Sequence, residues 1–436
     1  SRQGTGELWV ADLTGGAPRR IFAGDAVQPS WSPGGQRIAF WGLRGIGTFG
    51  GGQRDLWTVR ADGSDPVRIM DDLATDWNPV WSPDGRWLYF VSDQGGSMNL
   101  WRVPIDEASG RPLGAPSPLT TPSRWSGPVS VSRDGRALAY ASVEENATIQ
   151  RVAFDPAAGA VAGAPATVIG GSSVGSFGMD LSPDGRWIAF SCRGQHEDIC
   201  LVGVDGSGFR KLTDDAAKDR VPRFSPDGEQ IAFYSPRGGR YAVWSMRTDG
   251  SGLGELVGDE RGDVLWFGWS PEGRRGAARV LVGETDETRI FDLGPSLPAR
   301  EGTPLPPMNE QGETFLSYAW SPDGRRLLGT ARRADSSIRG LFLYELDTRR
   351  YRVVPGFEEH TDIRAAAWMR DSRRLLVGDG ATLWLADSAD GSRRELVSGG
   401  LIRNMVAGDE AIYFIDARRQ ADLWLARLDG PADEAP

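Results

Sequence analysis

Histidine and cysteine are almost missing from this 436-residue chain, with two of each. Two cysteines plus two histidines cannot build a closed zinc site of the usual spacing. Lysine is scarce, arginine supplies nearly all the positive charge, and the net charge is −10. Nucleic acid and anionic membrane surfaces are disfavoured as partners, because phosphate binding needs a basic stripe. No stretch approaches the roughly 18 consecutive apolar residues of a membrane-spanning helix. No window carries a 3.6-residue apolar period, so almost no helix is expected. No signal peptide opens the chain. It begins at Ser1 in what soon becomes strand material, which suggests an excised or processed segment, whereas the final P-A-D-E-A-P reads as a true terminus.

What the chain does have is apolar residues (39%), 17 tryptophans, 58 glycines and 28 prolines, the composition of a buried core cut by many turns. One phrase recurs. Its clearest copy runs from Leu181 to Phe190, L-S-P-D-G-R-W-I-A-F. Pro183 presets φ, Asp184 can bond its own backbone and Gly185 supplies a φ > 0 position, so the phrase encodes a tight turn between two strands. Copies are centred on Ser32, Ser82, Ser132, Ser182, Ser225, Ser270, Ser321 and Met369, at spacings of 50, 50, 50, 43, 45, 51 and 48 residues. A ninth, decayed copy runs from Val406 to Phe414 near residue 407. That period fits four short strands per unit, as in a propeller blade.

A second phrase lies between the turns: D-L-W-T-V-R at Asp55, N-L-W-R-V-P at Asn99, D-I-C-L-V-G at Asp198, A-V-W-S-M-R at Ala242, T-L-W-L-A-D at Thr382 and D-L-W-L-A-R at Asp422. Its alternation marks a half-buried strand. Each unit therefore reads as strand a, S-P-D-G turn, strand b, variable loop, strand c, D-G turn and outer strand d. Strand a lines a central channel. Nine a–b hairpins meet ten c-type strands, because the chain opens on E-L-W-V-A-D-L (7–13) and P-R-R-I-F (18–22). The expectation is one all-β domain over residues 1–436. It is a single β-propeller of eight or nine four-stranded blades, closed by an N-terminal strand that joins the C-terminal blade. Removal of upstream blades is the alternative.

The repeated S-P-D-G-R-x-I-A-F, followed by D-L-W-x-V-x-x-D-G-S and x-x-L-T, closely resembles the PD40 (WD40-like) repeat of TolB-type propellers. The likeness spans roughly Gly6 to Leu428. It implies a propeller fold and leaves function open. Such propellers occur in the periplasmic TolB protein, which binds envelope proteins, and as gating domains of prolyl-oligopeptidase-type peptidases. They also occur as extracytoplasmic regions of bacterial signalling proteins, which the units here resemble most. More hairpins than TolB's six blades, and no TolB-like N-terminal α/β domain, set this chain apart from TolB itself.

Several motifs touch on chemistry. Gly171-Ser-Ser-Val-Gly175 fits G-x-S-x-G, but a nucleophile elbow needs a following helix, and the motif lies in a d–a link. Gly45-Ile-Gly-Thr-Phe-Gly50 fits G-x-G-x-x-G, but a strand follows where a dinucleotide site needs a helix. Asp62-Gly63 and Asp205-Gly206 offer one carboxylate each and read as turns rather than calcium loops. Trp31, Trp81, Trp269, Trp320 and Trp368 share one repeat position and read as core between blades. Trp77, Trp125, Arg220, Arg364 and Arg403 lie outside it, in d–a links near the channel mouth. An aromatic and arginine cluster there suits a binding hot spot; ordinary packing and ion pairing, with neighbours such as Asp219 and Asp362, is the competing reading. Cys192 and Cys200 are expected to face each other across strands b and c as a disulfide, which implies an oxidising compartment. Two reduced core cysteines are the competing reading.

The sequence thus predicts a chain with no catalytic residues, no cofactor and no metal, and not an enzyme. It would be a periplasmic or extracellular module that presents its loop face and channel mouth to a protein or peptide partner. It would bind no nucleic acid and insert in no membrane, and could form part of a larger membrane-anchored chain. The enzymatic alternative is the propeller of a prolyl-oligopeptidase-like peptidase that lacks its hydrolase domain.

Overall fold

The computed structural model describes residues 7–428, apart from 24–25, 45–52, 71, 73, 96–97, 121–124, 172–173, 194–195, 284, 295–297 and 334–336. Among the described residues every regular element is a strand, and every strand pair within the sheets is antiparallel. A pair, β1 (Leu8–Val10) and β2 (Arg19–Phe22), comes first. Two four-stranded sheets follow. One holds β3 (Val27–Trp31), β4 (Arg37–Arg44), β5 (Gln53–Arg60) and β6 (Val67–Arg68). The other holds β7 (Asp76–Trp81), β8 (Trp87–Ser92), β9 (Asn99–Pro104) and β10 (Ser117–Pro118). Then come β11 (Trp125–Val131), β12 (Ala137–Asp155) and β13 (Ala160–Gly171).

Five further four-stranded sheets run in strict chain order. They are β14 (Val174–Leu181), β15 (Trp187–Arg193), β16 (Glu197–Gly203) and β17 (Arg210–Lys211); β18 (Arg220–Phe224), β19 (Gln230–Ser235), β20 (Ala242–Arg247) and β21 (Gly254–Val257). Next are β22 (Asp263–Trp269), β23 (Arg275–Val282), β24 (Thr285–Asp292) and β25 (Gly302–Pro304); and β26 (Thr314–Trp320), β27 (Arg326–Arg332), β28 (Ile338–Glu345) and β29 (Arg350–Val353). The fifth holds β30 (Ala365–Trp368), β31 (Arg374–Gly378), β32 (Thr382–Asp387) and β33 (Arg393–Ser398). The last hairpin is β34 (Ile402–Ala407) with β35 (Ala411–Arg427).

All nine a–b hairpins therefore form where the S-P-D-G phrase and its decayed copies place them. The turn chemistry is local. In the second copy the Ser82 hydroxyl donates to the Asp84 carboxylate (2.5 Å) and accepts the Trp87 N–H (2.9 Å), while Gly85 takes φ 71°. Side chain and backbone thus close the loop together, and only glycine takes the last position without strain. Strand a carries a second repeated device, a bulge. Its register breaks between Trp77 and Val80, between Arg220 and Arg223, and between Leu265 and Gly268. Asn78, Val221 and Trp266 sit inside those breaks with φ of 52°, 55° and 51°. An extra residue there bends and twists the strand.

The sheets fall into two compact units, residues 1–145 with 419–436, and residues 146–418. The cause is legible in two long strands. β12 has 19 residues and β35 has 17. In A-L-A-Y-A-S-V-E-E-N-A-T-I-Q-R-V-A-F-D no glycine or proline interrupts the extended pattern, so strand b of the third hairpin runs on into the second unit and serves there as a strand c. β12 pairs with β35, which likewise continues into the first unit. In the second unit the Phe154 N–H donates to the Glu410 carbonyl (2.9 Å); in the first, the Leu428 N–H donates to the Arg136 carbonyl (2.8 Å). The expectation that an N-terminal strand completes the last hairpin is corrected here. The strand beside β35 is β12, and β1 pairs with β2.

In the second unit, β14 touches β18, β18 touches β22, and the contacts continue through β26, β30 and β34 back to β14. The returning contact has its own core. Met179, Ile188, Phe190, Cys192 and Cys200 pack with Ala147, Ile149, Tyr413 and Ile415, all buried. In the first unit β3 touches β7 and β7 touches β11, while β1–β2 packs on the next sheet through Leu8, Ile21, Ile38, Phe40 and Val59.

Candidate functional site

The repeat tryptophans split by surroundings. Trp81, Trp320 and Trp368 are 5%, 7% and 8% exposed and do lie in the core. Trp269 is half-buried. Trp31 is 50% exposed, contrary to expectation. Among the described residues the sheet before it in the chain holds β1 and β2 alone.

Three expected site residues lie at the starts of inner strands in the second unit. Arg364 immediately precedes β30 and is exposed, its backbone N–H bonded to the Gly378 carbonyl (2.8 Å). Arg403 is the second residue of β34 and is half-buried. Next to it the Asn404 side-chain oxygen accepts the Met179 N–H (3.4 Å). β30 and β34 are neighbours, so Arg364 and Arg403 lie at the starts of adjacent inner strands. Burial raises the pKa of Tyr318 on β26 against the pull of a hydrogen bond with Thr330 and of the charges of Arg279 and Arg364.

Arg220 opens β18 but is 6% exposed and is ion-paired with Glu197. Burial alone would lower its pKa; Glu197, then Tyr241 and Tyr234, outweigh that and raise it well above the ordinary value. The Tyr234 ring meets Tyr241 edge to face at 5.8 Å and lies tilted 5.9 Å from Trp266, centre to centre. Arg220 thus serves a buried polar and aromatic cluster rather than an open surface. Asp219, the neighbour considered for it, instead binds Arg237 at 2.5 Å. Sequence reasoning missed Glu197, which opens β16 just before the D-I-C phrase, in a stretch with no repeat pattern. It also missed Asp180 and Arg223 on β14 and β18. Asp180 accepts the Phe224 N–H (2.8 Å), and its pKa is raised by burial against the pull of Arg223.

The other two candidates belong to the first unit. Trp77 is half-buried against the Tyr89 and Val91 cluster, with the Arg54 guanidinium 4.8 Å from its ring centre. Trp125 opens β11, and its side chain lies outside the described residues, as does the glycine motif Gly45–Gly50. Of Gly171–Gly175 the two serines are likewise outside; Gly171 ends β13 and Val174 opens β14, so strand flanks the motif on both sides. The Asp62 and Asp205 carboxylates accept the Ser64 and Ser207 hydroxyls at 2.6 and 2.7 Å, the geometry of turns.

A disulfide joins Cys192 and Cys200, with Cα atoms 5.7 Å apart. The two are diagonal rather than opposite: Cys192 faces Asp198 and Cys200 faces Phe190.

These units define a repeat protein built of propeller-type blades: seven sheets hold four strands in chain order, and in six of those seven a bulge breaks the register of the inner strand. Residues 1–162 match the family model of the TolB β-propeller domain, PD40, which supports assignment to the TolB-type PD40 propeller family. It is 32% identical over 208 residues to an uncharacterized protein of Agrobacterium fabrum, 44% of this chain and 65% of that one. It is 26% identical over 221 residues to the uncharacterized peptidase YuxL of Bacillus subtilis, 48% of this chain and 29% of that one. It is 28% identical over 180 residues to the Tol-Pal system protein TolB of Anaeromyxobacter dehalogenans, 41% of this chain and 27% of that one. The chain thus spans 65% or less of the length of each of these three relatives.

Proposed function

We propose that residues 146–418 form a closed six-bladed propeller that acts as a non-catalytic binding module. Its channel mouth, with Arg364 and Arg403 at neighbouring inner-strand starts, would receive a protein or peptide partner outside the cytoplasm. The unbroken cycle of inner-strand contacts is the observation that carries it. Six blades fall within the usual range of about 4–8. Loops and strand starts on a rigid ring are where binding residues collect. The family resemblance to extracytoplasmic propellers and the Cys192–Cys200 disulfide support an oxidising compartment. A single propeller closed over all nine hairpins fits the strand pairing less well.

The test is capture of partners from envelope extract by the intact chain and by an Arg364→Glu, Arg403→Glu double variant, both checked for native circular dichroism. The double variant is expected to lose the partner; unchanged capture by both would contradict the channel-mouth reading. Two reactive thiols in freshly isolated, unfolded protein would contradict the oxidising compartment.

The second reading, the propeller part of a peptidase, is favoured by the match to YuxL. A hydrolase domain encoded directly after Pro436 would establish it.

A further inference from the structure

In the first unit the end of β35, Asp422–Arg427, carries the strand c phrase and pairs on one side with β12. Among the described residues no strand d lies on its other side. Asp422 is exposed, and Leu423, Trp424 and Leu425 are 82%, 49% and 71% exposed. The same phrase within a complete sheet is buried: Leu56 and Leu383 are 0% exposed and Leu100 is 1%.

The complete c–d pairs specify what is missing. In six sheets one residue of strand d faces the third position of the c phrase: Arg20 faces Trp9, Arg68 faces Trp57, Pro118 faces Trp101, Lys211 faces Cys200, Glu255 faces Trp244 and Glu395 faces Trp384. The first position of the phrase is Glu7, Asp55, Asn99, Asp198, Ala242 and Thr382 in the same order. Where that position is acidic, the facing residue is basic and reaches back to it. Arg20 contacts Glu7 at 2.7 Å, Arg68 contacts Asp55 at 3.9 Å and Lys211 contacts Asp198 at 2.9 Å. Where it is neutral, the facing residue is proline or glutamate. The reason is electrostatic. Asp55 and Asp198 are 0% exposed, and a buried carboxylate needs a cationic partner, whereas a neutral residue does not. The residue after the basic one then donates its N–H to the second position of the phrase, Ile69 to Leu56 and Leu212 to Ile199, each at 2.8 Å.

We propose that the free edge of Asp422–Arg427 binds an extended partner segment that carries Arg or Lys between apolar residues and adds as the fourth strand. Its basic residue would face Trp424 and reach Asp422, and the next residue would donate to the Leu423 carbonyl. Main-chain pairing would supply affinity and the charge would fix register, as in other strand additions. A second copy of this chain is a poor source. Each outer strand that fits the pattern, β2, β6 and β17, is already paired with its own strand c. This site is separate from the channel mouth, so either proposal can fail alone.

The probe is a fluorescein-labelled peptide with the sequence of Ser207–Thr213, S-G-F-R-K-L-T, titrated by anisotropy against the intact chain. Saturable binding is expected. Asp422→Lys should weaken it at least tenfold, Glu260→Lys on another exposed turn should not, and Arg364→Glu should not. A peptide with Glu in place of its lysine should prefer the Asp422→Lys chain. Three results would each overturn the proposal: no saturation by 500 µM, equal affinity for wild type and Asp422→Lys, or a dimer that Asp422→Lys dissociates.

Discussion

T-L-W-L-A-D at Thr382 and D-L-W-L-A-R at Asp422 are nearly the same sentence in two surroundings. In the second unit Leu383 and Leu385 are 0% and 8% exposed; in the first, Leu423 and Leu425 are 82% and 71% exposed. The difference does not lie in the strand itself. In the second unit an outer strand, β33, pairs on one edge, and the flanking sheets belong to an unbroken cycle. In the first unit, among the described residues, no outer strand pairs with the far edge of Asp422–Arg427. Burial in a repeat protein is supplied by neighbours, because no unit covers its own apolar faces.

Substitution of the paired leucines should break this comparison most sharply. Leu383→Asp buries a charge in the core and should cost more than about 4 kcal/mol, whereas Leu423→Asp should stay within about 0.5 kcal/mol. Urea unfolding followed by circular dichroism measures both, and equal costs would erase the distinction. The tryptophans give a smaller contrast. Trp320→Ala should cost about 3–5 kcal/mol. Trp31→Ala should cost less than about 2 kcal/mol, since half its surface already meets water.

Replacing both Cys192 and Cys200 with alanine should cost about 2.5 kcal/mol, the chain-entropy value for so short a loop. Amide hydrogen exchange should show the loss in β14–β16 and in their packing partners Ile149, Tyr413 and Ile415, with the first unit unaffected. Spread of the effect to residues 27–104 would contradict two separately packed units.

The smallest effect is shared by both units. Asp134, Asp184 and Asp227 of the S-P-D-G-type turns are held below the usual carboxylate range, first by the hydroxyls of Ser132, Ser182 and Ser225. A lowered native pKa gives stability that is present above the unfolded value near 3.9 and lost as pH falls through the native one. Buried Asp76 and Asp219 are raised, chiefly by burial, so their contribution has the opposite sign and is lost as pH rises. A modest net loss of stability below about pH 4 is expected in urea titrations of the whole chain.

The hairpins were legible because the turn encodes itself: serine, aspartate and glycine each have a local role that does not depend on what packs nearby. The cysteine pair was legible for the same reason, although its register is diagonal. The division into two units was not. It depends on the continuous extended pattern from Ala137 to Asp155, which reads equally well as the end of one blade or the start of another. The site was legible only in part. Arg364 and Arg403 do mark strand starts on neighbouring sheets. Arg220 has the same sequence position but is buried on Glu197, a residue that no repeat pattern picks out. The exposure of Leu423 was illegible, because its phrase matches the buried copies and the difference lies outside the phrase, in what packs on the strand.

Expression of residues 146–418 alone tests most directly whether these sheets close on themselves. A monomer is expected, with an all-β circular dichroism spectrum, an intact Cys192–Cys200 disulfide and one cooperative unfolding transition close to that of the same region in the whole chain. A fragment with no cooperative transition, or one that folds only when residues 7–145 are supplied, would contradict that closure.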